Sequence, residues 1–224
     1  MTTFQRARSE EQREIRRQAI LDTAAAMLDE MSVGEVSLNE LSRRVGLAKS
    51  NVLRYFESRE AILLELLDTA WKRLMDELPA LLAAGIDAEH SVRQRGEEFA
   101  AVFTRSLAER RVLCDLLSAQ AGVLEHNVSA AVAARYKRAA IGNVDALVGL
   151  ARQYLPELGD GARLFSAQAF MMAQRRLDSR PAVPGHARRL RRGPVTRGPA
   201  YGLRGTLREM VATLIVGTLT RTAS

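Results

Sequence analysis

The stretch from Ser37 to Phe56, SLNELSRRVGLAKSNVLRYF, decides how this chain folds. Ser37 and Glu40 have the S-x-x-E spacing of a capping box, which marks a helix start. Leu38, Leu41 and Val45 then recur at helical spacing and give that helix an apolar face. Gly46 stands where the helix must end, because a left-handed residue costs glycine little. Leu47 is expected as a buried hinge contact. On a second helix, Val52 with Tyr55 or Phe56 would face inward. Lys49, Ser50, Leu53 and Arg54 would face outward, with Asn51 at the edge. Donors lead that outer face, and no acid follows until Glu57. This is the layout of a helix-turn-helix whose second helix lies in a DNA major groove. A plain helical hairpin with a charged solvent face has the same spacing.

The flanks separate the two. Upstream, Ser9 to Glu30 reads as one helix. Ser9 is placed to cap it, Glu10, Glu11 and Glu14 suit the positive end of its dipole, and Ile20, Ala24, Met27 and Leu28 form its apolar stripe. Downstream, Ser58 is placed to cap a long helix from Glu60 to about Leu78. The block VSLNELSRRVGLAKSNVLRYFESREAILLELL, Val36 to Leu67, in this setting of three helices and a long fourth, resembles the TetR family of transcriptional regulators. The resemblance is close over residues 10–66 and extends beyond them only as architecture. It implies an all-α fold: a DNA-binding domain over residues 9–58 with the helix-turn-helix, and a helical ligand-binding and dimerisation domain over residues 59–224.

For the DNA contacts, the resemblance and the donor-bearing face together point to Ser37, Arg43, Arg44, Lys49, Ser50, Asn51, Leu53, Arg54, Tyr55 and Arg59. Three of these neighbourhoods depart from the family pattern. Leu53 stands where a tyrosine usually donates to a phosphate. Ala48 replaces a serine, which weakens the cap of the second helix. Arg59 replaces a lysine and keeps its charge.

Between Glu60 and Gln174 the pattern is helix after helix. Pro79 is read as a stop and Ala80 to Asp87 as a loop. Helices are expected over Ser91 to Leu107, Arg110 to about Val123, Ser129 to Leu155 and Asp160 to Gln174. In the last of these, Leu164, Phe165, Gln168, Met171 and Met172 share a face. Thr206 to Leu219 repeats apolar residues at Leu207, Met210, Val211, Leu214 and Ile215. The resemblance implies that the last two helices pair with their copies, with Phe165 and those five residues at a homodimer interface. It also implies a small-molecule effector, for which Trp71, Met75, Phe99, Phe103, Leu117, Gln120, Asn127, Tyr136 and Met171 are the candidate side chains. Plain core packing accounts for the same residues. By the family's mechanism a repressor dimer would bind a palindromic operator and leave it when the effector binds.

The net charge of +7 looks like a nucleic-acid signature, yet residues 174–204 carry it. Nine arginines and one acid fall there, leaving 24 bases and 25 acids in the rest of the chain. The same segment holds four of the six prolines, and helical periodicity lapses across it. Three readings fit: a stretch translated out of frame in a G+C-rich gene, a disordered loop, or a basic arm adding non-specific DNA affinity.

Catalytic chemistry has no motif here. His90, His126 and His186 lie far apart without partners at ligand spacing, so no metal site is expected. Neither a phosphate-cradling glycine loop nor a nucleophile elbow occurs, and no cofactor is implied. Cys114 is the single cysteine. With an N-terminus too charged for a signal peptide and no apolar run of membrane length, a cytoplasmic protein is expected. A helical enzyme or a helical scaffold without DNA binding are the competing classes. Mobility of the gene's upstream DNA with the purified protein separates them from a regulator.

Overall fold

The computed structural model describes residues 3–120, 127–177 and 203–222. Among them the chain is all-α, with no strand. The helices are α1 (Thr3–Glu30), α2 (Leu38–Val45), α3 (Lys49–Val52), α4 (Arg59–Gly85), α5 (Val92–Ala108), α6 (Arg111–Ala119), α7 (Ala130–Tyr154), α8 (Gly161–Leu177) and α9 (Leu203–Thr222). A 3-10 turn, Pro156–Leu158, precedes α8. The chain divides into two compact units: Met1–Glu77 with Arg110–Ala146, and Leu78–Glu109 with Leu147–Ser224.

In the first unit α1 begins at Thr3, so Ser9 lies inside the helix and does not cap it. Gln5, Arg6, Ala7 and Arg8 are good helix formers with no breaker among them, which lets the helix extend N-terminally. Ile20, Leu21, Ala24, Met27 and Leu28 are all buried. The Ser37 hydroxyl caps α2 by accepting the Glu40 N–H at 3.2 Å. The expected reciprocal bond does not form, because the Glu40 carboxylate turns to Arg43 and Arg44 instead. Two guanidinium groups at i+3 and i+4 outbid one backbone amide. Gly46 ends the helix at φ 71°. Its N–H reaches the Arg43 carbonyl and the Leu47 N–H reaches the Ser42 carbonyl, the paired closure of a Schellman motif. Leu47 itself is only half-buried.

Pro79 predicts a helix stop, but α4 continues through it to Gly85. Leu78 and Leu82 are fully buried one turn apart, while Pro79 sits on the exposed face. The apolar stripe stays in phase, and its burial outweighs the hydrogen bond that the proline cannot donate.

In the second unit Ser91 and Gln94 form a complete capping box at the start of α5. Phe99 and Phe103 are fully buried, and Phe99 meets Phe165 of α8 edge-on with centroids 5.9 Å apart. The buried stripe of α8 is Ala162, Phe165, Ser166, Ala169, Phe170 and Ala173, whereas Leu164 and Met171 are about half exposed. This corrects the expected face. The reason is the close approach of neighbouring helices. A Cβ on Gly161 would lie 2.5 Å from Thr218 Cγ2 of α9, and one on Gly96 of α5 would lie 2.9 Å from Ile215 Cγ2. At Gly161 and Gly96 the absent side chain permits that spacing, while Phe165 and Phe170 fill the rest of the buried face of α8.

The expected dimer residues fall into two groups. Phe165, Leu207, Val211 and Ile215 are buried in the protomer's own core. Met210 and Leu214 are half-buried. Both terminal helices exceed their expected limits, α8 running on to Leu177 and α9 starting at Leu203. The arginine-rich stretch between them, with the three readings given to it, lies outside the described residues, as does the expected end of α6 at Val123.

Candidate nucleic-acid interface

The recognition element is short. Only Lys49–Val52 is α-helical, and Ala48 contributes no side-chain cap. Beyond it the winding tightens: Arg54 N–H bonds to Asn51 O at 3.2 Å and Tyr55 N–H to Val52 O at 3.0 Å. Val52 and Phe56 are buried and anchor the segment. Lys49, Ser50, Asn51 and Arg54 are exposed, Tyr55 is half-buried, and Leu53 stands 41% exposed. The outward face expected from the sequence is therefore assembled. The guanidinium of Arg17 on α1 lies 4.4 Å from the centroid of the Phe56 ring, a cation–π contact behind that face. Arg17 also makes a bidentate pair with Glu65 of α4.

The remaining candidate cations divide. Arg43 and Arg44 both bind Glu40, and Arg44 also reaches Glu30 at 2.7 Å. Those hydrogen bonds, Arg43's the strongest, pull the Glu40 carboxyl down to about 2 from an ordinary 4.5. The four groups sum to no net charge. Arg59 is turned inward. It donates to the Val33 carbonyl at 3.2 Å and lies 3.7 Å from Glu60, with its side chain 22% exposed. It is not presented for a DNA contact. By contrast, Arg54 and Tyr55 line an open depression of about 400 Å³ with Gln12, Arg13 and Arg16 of α1. The sequence shows the charges of Arg13 and Arg16. It gives no sign that α1 brings them beside the recognition segment, since only the fold fixes that.

Immediately after the segment, Glu57 accepts the backbone N–H of Ser129 at 2.6 Å. That bond, with a further one from the Ser129 side chain, holds the Glu57 carboxyl below its ordinary value. The Ser129 hydroxyl in turn accepts the Val132 N–H at 3.3 Å and caps α7.

The candidate effector residues are divided between the two units. Trp71, Met75, Leu117, Gln120, Asn127 and Tyr136 fall in the first unit, and Phe99, Phe103 and Met171 in the second. Asn127 and Met171 are exposed. The others are buried. The first unit does hold a cavity of about 360 Å³, lined by Arg17, Ala61, Leu64, Glu65, Asp68, Thr69, Lys72, Val132, Arg135, Tyr136 and Ala139. Of the nine candidates only Tyr136 lines it. Asp68 pairs with Lys72 at 2.7 Å through one oxygen, and its other oxygen is buried without a hydrogen bond. Apolar periodicity marks cores and cannot find such a charged cleft. No group of three or more His, Cys, Asp or Glu among the described residues could hold a metal.

A capped helix, a glycine turn and an outward donor face on an all-α chain define a helix-turn-helix DNA-binding regulator. Residues 20–66 match the family model described as bacterial regulatory proteins, tetR family, and residues 68–222 match the tetracyclin repressor-like C-terminal domain. The chain belongs to the TetR family of transcriptional regulators. Among solved structures it is similar to a TetR transcriptional regulator from Rhodococcus sp. RHA1, with 14% identity, TM-score 0.56 and coverage of 94% of this chain and 98% of that one. A tetR-family regulator from Streptomyces coelicolor gives 16% identity and TM-score 0.54, covering 94% of this chain and 82% of that one. The fatty acid degradation regulator FadR from Bacillus halodurans gives 15% and 0.52, covering 89% and 97%. At these identities the likeness is one of fold. No curated protein matches the chain. No helix of the described residues is long and apolar enough to cross a membrane.

Proposed function

We propose that this regulator is a cytoplasmic homodimeric repressor that binds a palindromic operator and leaves it when a small molecule binds. Residues 9–58 read the DNA, and residues 59–224 hold effector and partner. The exposed face of Lys49, Ser50, Asn51 and Arg54 on a buried Val52–Phe56 anchor carries the reading. A two-fold pair of such faces matches a two-fold operator. The effector enters the charged cavity of the first unit, where Arg17 forms part of the wall. Arg17 also stacks on Phe56, so occupancy that draws it from Glu65 disturbs the anchor of the recognition segment. A ligand acts this way only through unequal affinity for the two arrangements.

Mobility-shift titration of the gene's own upstream region tests the reading. Lys49→Ala and Arg54→Ala should each weaken binding, and a lost phosphate contact should lower the salt slope by about one unit. If both variants bind like the wild type at every salt concentration, the recognition segment is misassigned.

A further inference from the structure

We propose that Arg13 and Arg16 of α1, together with Arg54 and Tyr55, form a clamp for a DNA backbone phosphate beside the recognition segment. The inference rests on the DNA-binding reading above and places a contact on a helix outside the helix-turn-helix. Four observations carry it.

The first is geometry. Arg13, Arg16, Arg54, Tyr55 and Gln12 surround one open depression of about 400 Å³, large enough for a phosphodiester and its sugar edges. The second is chemistry. All five side chains carry hydrogen-bond donors, and no carboxylate stands among the described walls. Glu10, Glu11 and Glu14 occupy the same helix but do not line it.

The third observation is pairing. Arg17, Arg43, Arg44 and Arg59 are each committed to an acid or a carbonyl within the protein. Arg13, Arg16 and Arg54 make no ion pair or hydrogen bond among the described residues, and all three are exposed. Three unneutralised guanidinium groups around one hollow repel each other unless an anion enters. The fourth is position. Arg54 and Tyr55 lie two and three residues beyond the end of α3, so an anion held here lies next to whatever α3 contacts. Guanidinium forks match phosphate oxygens in pairs, and phosphate contacts set register without reading sequence.

The test measures anisotropy of two unrelated labelled duplexes of mixed sequence with the full-length protein, from about 50 to about 200 mM salt. The paired variant Arg13→Gln/Arg16→Gln should lower the slope of log affinity against log salt by about two units, equally on both duplexes. Arg13→Lys/Arg16→Lys keeps both charges and should keep the slope. Arg93→Gln, a change on the exposed side of α5, should leave it unaltered. Helical circular dichroism should be the same for all four proteins. Wild-type binding with an unchanged slope in the glutamine pair overturns the clamp and leaves the regulator reading standing. Loss of slope in the lysine pair overturns the charge basis of the clamp. A wild-type protein that binds neither duplex at the lowest salt overturns the regulator reading and the clamp together.

Discussion

Glu40 shows how one side chain sets the charge that a DNA-facing surface displays. It accepts from Arg43 and Arg44, and both guanidinium groups are thereby occupied. Its folded pKa, about 2, is depressed below the ordinary 4.5. The stabilisation is therefore present above about pH 4.5 and is lost as pH falls toward 2. Glu40→Gln should flatten this part of an acid titration followed by circular dichroism. At neutral pH the same variant frees Arg43, while Arg44 keeps its pair with Glu30, and it should bind mixed-sequence duplex more tightly; weaker binding would sink this account. Much at this scale was legible. The Ser37 cap, the left-handed Gly46 and the outward Lys49 and Arg54 follow from residue type and spacing. The destinations of Arg43, Arg44 and Arg59 were not legible, because a sequence gives a charge and not the direction in which it points.

At the scale of elements, hydrophobic period located most helices and failed where size or context decided. Pro79 was read as a stop because proline lacks the donor that the Met75 carbonyl would take. Pro79→Ala restores that donor on an exposed face and should raise stability by about 1–3 kcal/mol in a thermal melt, given a proline cost of about 3. No gain would mean that the helix already bends to accommodate the ring. On α8, hydropathy selected Leu164 and Met171 over Ala162, Ser166 and Ala169. The face that packs is set by the partner helix: a Cβ at Gly161 would meet Thr218 at 2.5 Å, and Phe165 and Phe170 are buried beside Ala162, Ser166 and Ala169. That criterion depends on a partner helix and cannot be seen in one segment.

For the whole molecule, the family and the all-α class were readable from Val36 to Leu67 together with the helical run that follows. A surface for the proposed dimer was not, because Leu207, Val211 and Ile215 of α9 serve the protomer's own core. Leu164 and Met171 of α8, each about half exposed, are the better candidates for a partner's contact. Met171→Arg should convert the proposed dimer to a folded monomer, as judged by light scattering and circular dichroism together. A dimer of unchanged strength would move the interface elsewhere. Net charge was also misleading at this scale: +7 for the chain describes residues 174–204, while the helix-turn-helix pairs much of its own positive charge.

The bond from Ser129 to Glu57 has a mechanical consequence. Glu57 is the residue next to Phe56, so the first turn of α7 is pinned one peptide from the buried foot of the recognition segment. At 2.6 Å the contact has about 1 Å of travel before it ceases to be a hydrogen bond. A larger shift of the start of α7 relative to Glu57 would break the bond and free the residue that follows Phe56.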